Sequence, residues 1–352
     1  MAGWNFAELW EAIADKFPDA QALVHGDRRV SWGEFDAHAD GLAAHLLADG
    51  AVHGDKVAMY LYNCPEYMEG CYAAFKAGMV PVNTNYRYLD DELVYLWDNA
   101  DAVAVVFHGT FTPRVAAVKD KLPKVRQWIW VDDGSDTCPE WATDYESIAT
   151  TAPGRVIPPW GRSGDDVVMI YTGGTTGMPK GVMWRQDDLI GVTCATGNPM
   201  LAADPAEAGG VAAFIDGIAA PGAAGLPACP LMHGTGWFTA NIFLTQAGSV
   251  VTLTDRTLDW TEVLSTIERE RVGALTIVGD AFGKPMVRTL DANPGKWDLS
   301  SLLLVTSSGV MWSEQVKQAM LAHHPNMLLV DTFSSSEAIG MGSSVSAGDS
   351  AK

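Results

Sequence analysis

Cysteine is scarce and unpatterned. Cys64, Cys71, Cys138, Cys194 and Cys229 are scattered along the chain and form no CxxC pair. That spacing argues against a zinc site or a disulfide framework and fits a reducing compartment. Basic residues are also few: 23 Lys and Arg stand against 43 Asp and Glu, a net charge of −20. So acidic a chain is a poor reader of phosphate backbones, and no nucleic-acid partner is expected. An anionic ligand must then be held by a few placed groups, because the general field repels it. No uninterrupted apolar run is long enough to cross a bilayer. The least polar stretch, 211–232, holds three prolines, three glycines and Asp216, so no integral membrane segment is expected. The first twenty residues lack a basic region and carry Glu8, Glu11, Asp15 and Asp19, unlike a secretory leader. The expected location is the cytoplasm.

Hydrophobic residues make up 48% of the 352 positions, enough for a sizeable core. Gly26-Asp27 reads as the turn of a hairpin, and Ser31 followed by Glu34 as a capping box. Strand patterns at 57–61, 79–82, 103–107 and 128–131 alternate with helical patterns at 65–77, 90–99 and 113–122. A polar connection, 132–165, leads to a second series. Its strands are expected at 167–171, 228–232, 249–253, 274–278, 302–306 and 327–330, and its helices at 236–246, 259–271, 283–292 and 313–323. Such alternation implies an α/β fold with largely parallel strands under helices. The division expected is a first α/β unit at 1–160 and a second at 165–352.

The strongest chemical signal follows the strand at 167–171. It reads Tyr171-Thr172-Gly173-Gly174-Thr175-Thr176-Gly177-Met178-Pro179-Lys180-Gly181-Val182. Its glycines let backbone N–H groups turn toward an anion, its threonines add hydroxyl donors, and Lys180 adds a point charge. A Walker A loop needs Gly before the lysine and Ser or Thr after it; Pro179 and Gly181 stand there instead. A P-loop kinase is therefore disfavoured.

This segment resembles the phosphate loop of the adenylate-forming superfamily, which includes acyl-CoA synthetases, luciferases and peptide-synthetase adenylation domains. The family pattern is Y-T-S-G-T-T-G-x-P-K-G-V, with Gly173 here in place of the Ser. The likeness continues in order along the chain: Ser31-Trp32-Gly33-Glu34-Phe35, Gly54-Asp55-Lys56-Val57-Ala58, Asn63-Cys64-Pro65-Glu66, Lys76-Ala77-Gly78, Pro81-Val82-Asn83 and Pro230-Leu231-Met232-His233. Ser307-Ser308-Gly309-Val310 and Asp331-Thr332-Phe333-Ser334-Ser335-Ser336-Glu337 stand where two further family elements fall. Actinobacterial fatty-acid and steroid side-chain acyl-CoA synthetases are similar in this way.

The resemblance implies an N-terminal AMP-binding domain over 1–352, with two layered, mostly parallel sheets. It implies a fragment that stops before a ribose-binding Asp and a small C-terminal domain. The implied chemistry is ATP-dependent activation of a carboxylic acid, followed by transfer to coenzyme A, with Mg²⁺. Catalytic roles are implied for Lys180, Thr176, His233 and Glu337, the last as metal ligand. Nucleotide contacts are implied for Thr172, Gly173, Gly174, Thr175, Thr176, Gly177, Lys180, Ser308, Gly309, Val310, Asp331, Thr332, Phe333 and Ser336. His233, Trp237, Phe238, Gly279, Asp280 and Phe282 are expected beside the acyl group. Two alternatives stay open: a ligase that loads a carrier protein, and a catalytically silent nucleotide- or acyl-binding module. The identity of the acid is open, as is association into a homodimer.

Overall fold

The computed structural model describes residues 3–151, 153–173 and 177–348. The strands are β1 (Gln21–His25), β2 (Arg28–Ser31), β3 (Lys56–Tyr60), β4 (Val80–Asn83), β5 (Ala102–His108), β6 (Gln127–Val131), β7 (Thr143–Asp144), β8 (Val167–Thr172) and β9 (Lys180–Arg185). After these come β10 (Ala224–Pro227), β11 (Ser249–Thr252), β12 (Ala274–Ile277), β13 (Leu304–Ser308), β14 (Leu328–Ser335) and β15 (Ala338–Ala347). Among the described residues they form two sheets. One runs β7-β6-β5-β3-β4-β8-β9, the other β15-β14-β13-β12-β10-β11-β1-β2. The expected α/β class with mostly parallel strands is what the chain adopts. Strand β8 pairs antiparallel with β9, and β14 with β15.

The chain divides into two compact units, 1–20 with 30–219, and 21–29 with 220–352. This differs from the expected break between 160 and 165. The reason is pairing: β8 joins β4, and β9 closes that sheet's edge, so 167–185 belongs to the first unit.

In the first unit, β5 is buried along all seven residues, as befits a strand covered on both faces. Tyr60, Trp97, Phe107 and Trp128 anchor its core. The expected capping box forms, with Ser31 Oγ accepting from Glu34 N and Glu34 from Ser31 N. The connection at 132–165 holds β7 and a helix, Tyr145–Ala149, capped by Asp144. Both are too short to show a period.

The first unit also holds a buried ionic network. Lys76 is fully buried, its Nζ 2.8 Å from Glu11, 2.8 Å from Asp36 and 2.9 Å from Asp40. It lies 4.9 Å from the centre of the Tyr72 ring. Arg162 reaches Glu11 at 2.7 Å, and Arg155 reaches Asp15 at 2.8 Å and Asp36 at 3.3 Å. Burial pushes the Asp40 carboxyl above its ordinary range, against the pull of Lys76. The network ties the helices Phe6–Lys16, Trp32–Ala48 and Pro65–Lys76 to the 155–162 segment.

In the second unit, Leu226, Val251, Val263, Leu275, Val305 and Met320 form one core. Strands β10, β14 and β15 depart furthest from expectation. The strand placed at 228–232 is β10, at Ala224–Pro227. The run after it is buried, but Pro230 has no N–H to give a ladder, so it turns instead. β14 runs five residues past 330, and β15 follows; their polar, Ser- and Gly-rich sequence lacks any strand pattern.

Replacing Lys76 with Ala removes the central cation from three carboxylates. Urea denaturation is expected to show a loss of roughly 3–5 kcal/mol, the cost of stranding buried charge. An unchanged midpoint would contradict the network's role.

Candidate functional site

The glycine-rich segment bridges β8 and β9. Thr172 stands opposite Lys180 in their antiparallel register, and Tyr171 opposite Gly181. Lys180 therefore opens an edge strand, where the sequence pattern alone reads as loop. Gly173, Gly177 and Lys180 are exposed, and Thr172 is half-buried. Gly177 has φ of +140°, a conformation that favours glycine. Gly174, Thr175 and Thr176 lie outside the described residues. A Cβ at Gly181 would meet Met169 Sδ at 2.8 Å and the Tyr171 ring at 3.0 Å, so a side chain there would have to displace Met169.

The base of the segment is clamped by Asn83, at the end of β4. Its Nδ2 donates to Tyr171 O at 3.0 Å, and its Oδ1 accepts from Tyr171 N at 2.6 Å. One amide side chain thus satisfies both main-chain groups of the residue that precedes Thr172. Tyr171 Oη donates to Asn99 at 2.7 Å, and burial pushes its phenol up to about 12. Tyr95 Oη donates to Pro179 O at 3.1 Å and steadies the far end.

A second feature belongs to the other unit. An open groove of about 550 Å³ is lined by Gly309, Val310 and Met311 on one side. Asp331–Ser334 and Gly342–Ser344 line the other. Five expected nucleotide contacts meet here: Gly309, Val310, Asp331, Thr332 and Phe333. The Phe333 ring is 73% exposed, an available stacking face. Ser308 ends β13 opposite Thr332.

The shape of the 309–313 loop follows from two glycines and one carboxylate. Gly309 has φ of +92° and Gly279 of +53°. A Cβ on Gly279 would lie 2.5 Å from Met311 O. Asp280 Oδ1 accepts from Ser313 N at 2.8 Å and from Ser313 Oγ at 3.0 Å, and Lys284 pairs with its other oxygen at 3.0 Å. These bonds, led by that from Ser313 N, hold the Asp280 carboxyl below its usual range. Gly279 and Asp280, expected beside the acyl group, thus open the helix Gly279–Ala292 and brace the groove loop.

The remaining expected residues are dispersed. Ser336 and Glu337 form the two-residue turn between β14 and β15, with Glu337 exposed. His233 is exposed at the start of the helix Gly234–Thr245. Trp237 is 2% and Phe238 9% exposed, their rings 5.7 Å apart, and Phe282 packs at the margin of the core. Ser334, from the Asp331–Glu337 element, lines the groove too, and Met311, Gly342, Ser343 and Ser344 line it without any sequence signal. β15 brings its three in by pairing Asp331 with Ser344, Thr332 with Ser343 and Phe333 with Gly342. Among the described residues no group of three His, Cys, Asp or Glu side chains is placed to hold a metal, and no helix is long and apolar enough to cross a membrane.

Residues 10–352 match the family model described as AMP-binding enzyme, and the chain belongs to that family. It is 35% identical over 350 residues to the medium-chain acyl-CoA ligase Mig of Mycobacterium avium, covering 93% of this chain and 61% of that protein. It is 35% identical over 347 residues to a medium/long-chain-fatty-acid–CoA/3-oxocholest-4-en-26-oate–CoA ligase of Mycobacterium tuberculosis, covering 97% of this chain and 62% of that one. The chain therefore spans about three fifths of the length of these curated relatives. In fold it is similar to an inhibitor-bound crystal structure of the N-terminal domain of FACL13 from Mycobacterium tuberculosis. That likeness has a TM-score of 0.78 at 21% identity, over 100% of this chain and 80% of the other.

The Asn83 clamp yields a direct expectation. Asn83→Ala leaves two buried main-chain groups of Tyr171 unpaired and should cost about 2–3 kcal/mol in denaturation. Amide exchange at Tyr171 should accelerate by a matching factor. Unchanged protection of that amide would refute the clamp.

Proposed function

We propose that the protein activates a hydrophobic carboxylic acid with ATP and passes the acyl group to coenzyme A. A carboxylate oxygen of the acid attacks the α-phosphorus of ATP, giving the acyl-adenylate and pyrophosphate. The thiol of CoA then attacks the acyl carbon, and AMP departs. The acid is ionised near neutral pH, so the first step needs no general base. The observation that carries the reading is membership of the AMP-binding family, together with a glycine-rich segment that retains its lysine.

In this reading the groove takes the adenine, with Phe333 as the stacking face, Asp331 as acceptor for its amino group, and Ser308–Val310 with Thr332 as its wall. Thr172, the glycine segment from Gly173 to Gly177 with its threonines Thr175 and Thr176, Lys180 and Ser336 contact the phosphates. Catalysis is then positioning and charge stabilisation. Mg²⁺ keeps most of its waters and takes one or two carboxylates alongside phosphate oxygens, so the single exposed Glu337 suits it. Bound there, the ion neutralises charge on the phosphate oxygens. His233 orients the acid's carboxylate, and Trp237, Phe238 and Phe282 form its apolar surroundings with the Gly279–Asp280 turn. The names of the relatives favour a medium- or long-chain fatty acid or a sterol side-chain acid, with CoA as acceptor over a carrier protein. The location proposed is the cytoplasm; no disulfide joins the five cysteines.

The test is acid-dependent exchange of labelled pyrophosphate into ATP. Medium- and long-chain acids should support it, and short polar acids should not. Exchange with none of them, under conditions where ATP binds, would overturn the proposal. Lys180→Ala should weaken ATP binding by about 1.5–3 kcal/mol, the worth of one charge-assisted phosphate contact, with the fold intact. Unchanged affinity in calorimetry would sink the assignment. Glu337→Gln keeps the shape but loses the charge, and should abolish magnesium-dependent exchange. Normal exchange at ordinary magnesium levels would remove Glu337 as the metal ligand.

A further inference from the structure

Lys317 is out of place for a lysine on a surface helix. It lies in the helix Glu314–His323, yet is only 5% exposed. Lysines are almost never this buried unless paired. Its Nζ lies 3.2 Å from Asp331 Oδ2 and 5.4 Å from the centre of the Trp312 ring, itself 3% exposed. Among the described residues, Asp331 is the carboxylate within ion-pair distance of this cation.

Asp331 is also a wall of the groove. Residues two apart on a strand share a face, so Leu329, Asp331 and Phe333 stand in one row. Leu329 is fully buried, Asp331 half-buried and Phe333 exposed. The row therefore runs from the core to the groove, and Lys317 meets it where it leaves the core.

We propose that Lys317 is a positioning residue for base recognition. By holding one oxygen of Asp331, it fixes the carboxylate as an acceptor beside the Phe333 ring. The groove then takes a purine with an amino donor at position 6 in preference to one with an oxo acceptor there. This rests on the nucleotide reading above. A carboxylate accepts and does not donate. It therefore accepts from the N6 amino group of adenine and repels the O6 of guanine. Lys317 touches no substrate; it acts through Asp331.

Titration calorimetry of ATP and of GTP tests this on four forms of the chain: unaltered, Lys317→Met, Lys317→Arg and Asp331→Asn. Met keeps the length and the packing on Trp312 but loses the charge. Asn keeps the shape and leaves Lys317 in place. The unaltered chain should prefer ATP. In K317M and D331N the ATP:GTP preference should fall by about ten- to a hundredfold, the loss of one charge-assisted hydrogen bond. K317R should retain most of it. A lower melting temperature with an unchanged ATP:GTP ratio, in K317M or in D331N, would mark a purely structural ion pair and overturn the inference. Failure of the unaltered chain to bind ATP would overturn the nucleotide reading and the inference with it, before any substitution is compared.

Discussion

The glycine-rich segment can serve an anion only if both of its ends are held, and main-chain pairing holds them. β8 lies between β4 and β9. The antiparallel ladder fixes where Thr172 and Lys180 stand relative to one another. Asn83 fixes the other edge, one side chain satisfying the N–H and C=O of Tyr171. Few residues can do this. The side chain must offer one donor and one acceptor in a plane, as an amide does and an ionised carboxylate does not. Gly181 completes the clamp because Met169 and Tyr171 occupy the space a Cβ would need.

The groove in the second unit follows a different logic. Its first wall begins at the carboxyl ends of β12 and β13, where open α/β sheets gather ligands. Gly309 takes positive φ directly after β13 and Gly279 two residues after β12, and Asp280 ties the 309–313 loop through Ser313. The second wall is the β14–β15 hairpin. An apolar ring, a carboxylate and several hydroxyls thus face one open space of a size suited to a small ligand. The buried Lys76 network supports the first unit from further away. There a cation holds three helices through three carboxylates, at a position where hydrophobic packing would be the simpler choice.

Much of this was legible in the sequence. The Asp90–Asn99 helix, the capping box at Ser31 and Glu34, and strands β3, β5 and β6 follow from hydrophobic period and cap chemistry. The family resemblance brought Gly309, Val310, Asp331, Thr332 and Phe333 forward, and they share one groove. Elements without a period stayed hidden. β9 is an exposed edge strand that reads as the tail of a glycine loop. β15, rich in Gly and Ser, has neither apolar alternation nor a recognisable turn before it. With β15 hidden, Ser343 and Ser344 could not be placed in the groove. Trp237 and Phe238 stand beside a motif in the sequence, but only the fold shows how little of either is exposed. Burial also separates Lys317 from other helix lysines, and burial depends on Trp312 and β14, which only the fold brings to it.

The central claim is that a carboxylate attacks the α-phosphorus of ATP on this protein, a chemistry that leaves a distinctive pair of products. Phosphorus NMR of ATP and Mg²⁺ incubated with the purified protein and a medium- or long-chain fatty acid reads that pair directly. The account predicts AMP-type and pyrophosphate signals that grow together and only when acid is present. ADP and inorganic phosphate in their place would mean attack at the γ-phosphorus, and would contradict it.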